Sequence, residues 1–151
     1  MRALRSLFYR AKRRAAYLGA LLLLKIVDLM LRRLHYRRTS RWLMRTSPPP
    51  DPARDDHTRA RLLAIAVDTA SMHRVVDVTC LRRSLVLWWL MRWLRLPSDV
   101  RLAFRLTPDG RADGHAWVEH HGRVINDLPD VAAQYPILYH DRLSPETLSR
   151  M

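Results

Sequence analysis

The spacing of apolar and polar residues changes twice along the chain. Through residues 3–38 apolar side chains recur at intervals of three and four, the period of one helix or two consecutive ones. Leu22, Ile26, Leu29, Met30 and Leu34 form the expected apolar stripe. Leu18, Leu21, Leu22, Lys25, Leu29, Arg32 and Arg33 form a mixed face. RWLMR at 41–45 extends the region, and TSPPPDPARDD at 46–56 ends it. Pro48, Pro49, Pro50 and Pro52 cannot occupy a helix interior, so 48–57 reads as a linker. The helical period returns over 58–76. Leu62, Ile65, Ala66, Thr69, Met72 and Val76 are expected on its apolar side, with Asp55 or Asp56 supplying negative charge to its N-terminus. CLRRSLVLWWLMRWLRL, 80–96, has too few polar residues for a solvent stripe. It predicts a central, largely buried helix with Trp88, Trp89 and Trp93 in the core.

Beyond Pro97 the period is two. DVRLAFRL places Val100, Leu102, Phe104 and Leu106 on one face and Asp99, Arg101, Ala103 and Arg105 on the other, as in a half-buried strand. TPDGRADG, 107–114, is a loop. HAWVE and RVIND, separated by HHG, form a hairpin. LPDVAAQYPILYHD is expected to be irregular, and SPET at 144–147 to open a last helix with Ser144 as cap. Helices followed by a small antiparallel sheet define an α+β fold.

Composition narrows the function classes. A chain of 151 residues suits one domain with a real core, and its single cysteine excludes an intramolecular disulfide framework. The net charge of +13 is concentrated at the front: residues 1–47 hold thirteen Lys/Arg and one acid, Asp28, whereas the remainder holds fourteen Lys/Arg and thirteen acids. Such a front attracts nucleic acid, anionic lipid or an acidic peptide. Nucleic acid is the weakest of these, because no helix-turn-helix or zinc pattern appears and the arginines interleave with Leu, not with stacking aromatics. AAYLGALLLL, 15–24, follows basic residues as in a signal peptide. It runs into Lys25 and Asp28, lacks a small-x-small cleavage site and is shorter than the roughly 20 residues a bilayer requires. A cytoplasmic protein is expected, touching the inner membrane peripherally through residues 1–47 where it does so at all. With four glycines there is no phosphate-cradling loop, and no cofactor or metal is expected.

The hairpin and the lone cysteine carry the candidate chemistry. A three-residue loop His120-His121-Gly122 would pair Glu119 with Arg123, Trp117 with Ile125 and His115 with Asp127, on one face. A two-residue His121-Gly122 turn would shift the pairing and put His115 and Asp127 on opposite faces, so their meeting is expected to require the longer loop. Cys80, behind the candidate cap Thr79, falls in the first turn of its helix, where amides and macrodipole favour a thiolate. A nucleophilic thiol needs a base and the base needs an orienting group, and Cys80, His115 and Asp127 supply the three parts. Plainer readings stand beside this one. Cys80 can be a buried packing residue, and Asp127 can pair with an arginine. Trp117, on the His115 face, either shelters the site or simply packs. His120 and His121 are expected in the turn, exposed, without a metal role.

The stretches CLRRSLVLWWLMRW and GHAWVEHHGRVIND resemble the lasso peptide maturation proteases, the microcin-processing, transglutaminase-like cysteine protease family. The resemblance rests on Cys80, Leu81, Ser84 and Leu85, on His115, Ala116, Trp117, Val118 and Glu119, and on Asp127, and covers residues 58–128 best. The family's Pro-Trp pair before the cysteine is absent, and LPSDVRLAFRL replaces its Gly-bearing segment. The resemblance implies a leader peptidase in its split form, without a fused leader-binding domain. Its implied partners are a precursor peptide, a separate small leader-binding protein and the ATP-using lasso cyclase. On this reading residues 1–47 are a basic helical region, 48–57 a linker and 58–151 the peptidase core. An acyltransferase of the same fold and a non-catalytic basic scaffold binding membrane or nucleic acid are the rival functions.

Overall fold

The computed structural model describes residues 2–72 and 79–140, with side chains from residue 17 to residue 138. Helix α1 (Arg2–Arg45) is interrupted at His35, whose φ of 59° and ψ of 173° break it into two segments. Its core side is Ala20, Leu24 and Val27, then Thr39, Ser40 and Leu43 beyond the break. The stripe expected through Leu22 and Leu29 is therefore displaced, and both side chains are exposed beside Leu18, Lys25, Arg32 and Arg33. The mixed face is the one that meets solvent. Asp28 ties α1 to the next helices by accepting Arg82 at 2.7 Å while also holding Arg32 at 3.0 Å.

Helix α2 (His57–Ser71) starts where Asp56 accepts the Arg59 N–H at 2.9 Å, so the expected acidic cap is Asp56. Its apolar side also differs from expectation. Ala60, Ala64, Val67 and Ala70 are buried, whereas Leu62, Ile65 and Met72 are exposed. Small side chains let helix axes approach closely. The face that packs is thus the alanine face, and bulk alone pointed to the wrong one. Expected helix beyond 72 and the SPET helix start at Ser144 fall outside the described residues.

Helix α3 (Cys80–Trp93) is buried on nearly every side through Leu85, Val86, Leu87, Trp88 and Met91. Trp88 and Trp89 belong to the core, but Trp93 is half exposed and does not. Two polar groups drawn into this core are partnered. The Trp88 indole donates to the Ser98 carbonyl, and Arg92 donates to Ser47 at 2.7 Å with its guanidinium over the Trp88 ring. Burial pulls the Arg92 pKa down. The α1, α2 and α3 side chains share one hydrophobic cluster with Val100, Val118 and Ile125 of the sheet region.

Strands β1 (Asp99–Leu106), β2 (Ala112–His120), β3 (Arg123–Val124) and β4 (Ile137–His140) form an antiparallel sheet in the order β3-β2-β1-β4, with short helix α4 (Val131–Gln134) between β3 and β4. The tail expected to be irregular thus supplies both α4 and a fourth strand. Ile137 and Leu138 follow Pro136 in a run too short to show alternation, and β1 lends its open edge, pairing Ala103 with Leu138. Ala103 also faces His115 across β1 and β2, which fixes the histidine in the middle of the sheet.

The β2–β3 turn has two residues, His121 (φ 48°) and Gly122 (φ 73°), both left-handed, joining His120 to Arg123. The expected three-residue loop does not form. Glu119 pairs with Arg101 of β1 at 2.9 Å in place of Arg123.

Candidate active site

Under strict pairing the two-residue turn should separate His115 from Asp127. They nevertheless meet, with His115 Nε2 2.7 Å from Asp127 Oδ2. The reason is that the chain leaves the ladder. Ile125 still donates to the Val118 carbonyl at 2.9 Å, but the return bond is missing. Val118 N–H donates to the Asn126 side-chain oxygen at 2.7 Å, and the Ile125 carbonyl accepts Arg61 of α2 at 2.7 Å. Pulled aside by these two bonds, the backbone turns, and Asp127 comes round to the His115 face. The carboxylate is held at both ends, since its Oδ1 accepts the Leu128 N–H at 2.8 Å.

The same asparagine fixes the cysteine helix. Asn126 donates to Ser84 Oγ at 3.2 Å, and Ser84 donates to the Ala116 carbonyl at 3.0 Å. Ser84 is fully buried, one helical turn after Cys80, and Ala116 directly follows His115. Residues four apart share a helix face, so this bond ties the cysteine-bearing part of α3 to the strand that carries His115. Tyr135 is pushed to higher pKa, by burial first, with Arg105 opposing and Asp113 and the Cys80 thiol adding. Asp68 of α2 is likewise pushed up by burial first, with Arg83 and Arg61 opposing and the Asp127 charge adding. Ion pairs from Arg82 to Asp28 and from Arg83 to Asp68 brace the first turn of α3 against α1 and α2.

Tyr135 is the residue that the sequence did not point to. Its ring stacks on the His115 imidazole at 4.7 Å, and Trp117 stands on the same face at 6.2 Å. The phenol donates to Asp113 while the Arg105 guanidinium lies over the ring. It belongs to the segment read as irregular, where no periodicity marked it.

With Nε2 committed to the carboxylate, Nδ1 is the nitrogen through which His115 can exchange a proton with a thiol. Thr79 occupies the cap position of α3, yet its side chain makes no capping bond, and the first turn carries no acid. The N–H groups there can donate to an oxyanion. Beside Leu81 opens a cavity of about 710 Å³ whose walls include Arg33, Arg37, Arg38 and Arg41 of α1, with Leu102; neither His115 nor Asp127 lines it. Leu81 directly follows Cys80. Among the described residues none of these four arginines is in an ion pair with an acid.

His120 and His121 are not among these residues. His121 is exposed in the turn, as expected. His120 is the last residue of β2 and is buried, because the turn begins one residue later than expected.

A thiol at a helix start, packed on an antiparallel sheet that carries a histidine–aspartate pair, defines a papain- or transglutaminase-like cysteine fold. The chain matches the transglutaminase-like superfamily over residues 21–140, and it belongs to that superfamily. Cysteine protease and acyltransferase activities are common in it. Neither a curated protein nor a solved structure matches the chain. Among the described residues no helix is long and apolar enough to cross a membrane.

Proposed function

We propose that this chain is a cysteine peptidase that removes the leader from a ribosomally made lasso peptide precursor, with Cys80 as nucleophile, His115 as base and Asp127 as the group that orients it. The observation that carries the reading is the 2.7 Å contact between His115 and Asp127, formed where Ser84 pins the start of α3. His115 Nδ1 takes the Cys80 proton. The thiolate adds to the scissile carbonyl, and first-turn amides of α3 donate to the oxyanion. His115 returns the proton to the leaving amine as the C–N bond breaks. Water, deprotonated by His115, then cleaves the thioester and frees the leader acid and the thiol. Asp127 accepts the Nε2–H throughout and stabilises the imidazolium.

The resemblance of CLRRSL and HAWVE to the split lasso proteases supports the substrate assignment. The cavity beside Leu81 supports a peptide substrate with an acidic docking segment, since four cations line it without acids. A separate leader-binding protein would present the precursor, and a cyclase would take the freed core.

The test is cleavage of a lasso precursor by this chain with a split-type leader-binding protein, run in ¹⁸O-labelled water. A leader carrying ¹⁸O in its new carboxylate, lost with Cys80→Ala, is the expected result. A leader joined to an added amine, without ¹⁸O, would replace the peptidase by an acyltransferase. An uncut precursor, together with a Cys80 inert to iodoacetamide in the folded chain, would remove the catalytic reading.

A further inference from the structure

His120 makes a second histidine–aspartate contact, and its surroundings are different in kind. The side chain is buried, with a residue exposure of 1%. Its Nδ1 lies 2.6 Å from the Pro97 carbonyl oxygen. A carbonyl only accepts, so Nδ1 carries hydrogen, and in the neutral ring Nε2 holds the lone pair. That Nε2 is buried without a hydrogen-bond partner. Asp55 Oδ1 is 3.3 Å away, within ion-pair range but without hydrogen-bond alignment. Two acceptors therefore face one another across a gap that a positive charge would fill.

Further donors surround that gap. One ligand atom from each of Asp55, His120 and His121 lies within 4.8 Å of the others. His121 Nε2 is 3.2 Å from the Arg54 carbonyl, to which it donates, leaving Nδ1 with its lone pair. His57 stacks beside His120, and its Nδ1 is also buried without a partner. An imidazole whose second nitrogen donates to a backbone carbonyl has the orientation typical of a metal ligand.

We propose that Asp55, His120 and His121 bind a divalent transition metal of the zinc class. Two imidazoles and one carboxylate suit zinc better than calcium or magnesium, which prefer all-oxygen sites. Asp55 and His121 are exposed and adjust by rotamer change to tetrahedral spacing. The bound ion would fasten the segment after the prolines to the tip of the hairpin, and so brace the strand that carries His115.

The experiment is zinc titration of chelator-treated Cys80→Ala full-length chain, followed by calorimetry and by the thermal midpoint. Cys80→Ala removes the thiol as a competing ligand and makes the result independent of any peptidase activity. One equivalent of zinc should bind with micromolar or tighter affinity and raise the midpoint. Asp55→Ala and His121→Gly should each weaken binding at least tenfold, and the double variant should lose the equivalent. These positions are exposed, and glycine suits the left-handed φ of His121, so the variants should fold. No zinc uptake at 100-fold excess, as expected if a proton on His120 Nε2 pairs it with Asp55, would overturn the site. Unchanged affinity in the double variant would do the same.

Discussion

Strand β2 carries two buried or half-buried histidines, each beside an aspartate, and they are built for different ends. His115 and His120 are five residues apart, so they face opposite sides of the sheet. His115 is partly open and gives Nε2 to Asp127. His120 is closed, gives Nδ1 to a backbone carbonyl, and points Nε2 at an exposed carboxylate. The residue pair is the same in both places. What differs is whether a backbone carbonyl claims one nitrogen and how open the ring is to solvent. A proton that must move needs the first arrangement, and a ring that must not move needs the second.

The sharpest way to break the comparison is to remove each histidine in turn. His115→Ala should lower leader cleavage about 1,000-fold or more, with far-UV circular dichroism unchanged, because base and imidazolium are lost together. His120→Ala should instead cost about 2–4 kcal/mol of stability, from the lost packing and the stranded Pro97 carbonyl, seen in urea titration. Cys80 alkylation in its folded fraction should stay within threefold. If the two variants gave interchangeable phenotypes, the division of roles would be wrong. Asp127 sharpens the contrast. It accepts the Nε2–H and stabilises the imidazolium, so both Asp127→Asn, whose amide favours the wrong tautomer, and Asp127→Ala should lose about 1,000-fold or more in cleavage rate. A loss of about tenfold or less in Asp127→Asn would show that a neutral acceptor suffices and the charge does not matter. The smallest effect expected is from Asn126→Ala. It leaves the Val118 N–H unpaired at a cost of about 1–2 kcal/mol, measured by the same titration, and loosens Asp127.

The sequence pattern disclosed the long helical front, the buried α3 and the strand β1, because each has a sustained period, and it marked HAWVE as strand. It also expected His115 and Asp127 to meet, as they do, though by a register that does not exist. Pairing rules place a residue only while the ladder lasts, and here it ends at Ile125. What brings Asp127 home is a side-chain bond from Asn126, which no periodicity encodes. The packing faces of α1 and α2 were misjudged for another reason. Both helices carry apolar residues on more than one face; in α2 burial went largely to alanines that allow close approach, and in α1 to Ala20, Leu24 and Val27. Strand β4 escaped notice because four residues after a proline carry too little pattern. The metal-site donors were hidden by one residue of turn placement, which decides whether His120 ends a strand or hangs in solvent.

Asn126 also sets an order of events as the chain folds. Its side chain bonds to Val118 in the hairpin and to Ser84, 42 positions earlier in the chain. The hairpin alone can form quickly, but Ser84 reaches Asn126 only after that long loop has closed. Local contacts within the hairpin therefore do not complete the Asn126 bonds, and a peptidase built on the proposed triad would gain its orienting acid only with this long-range closure.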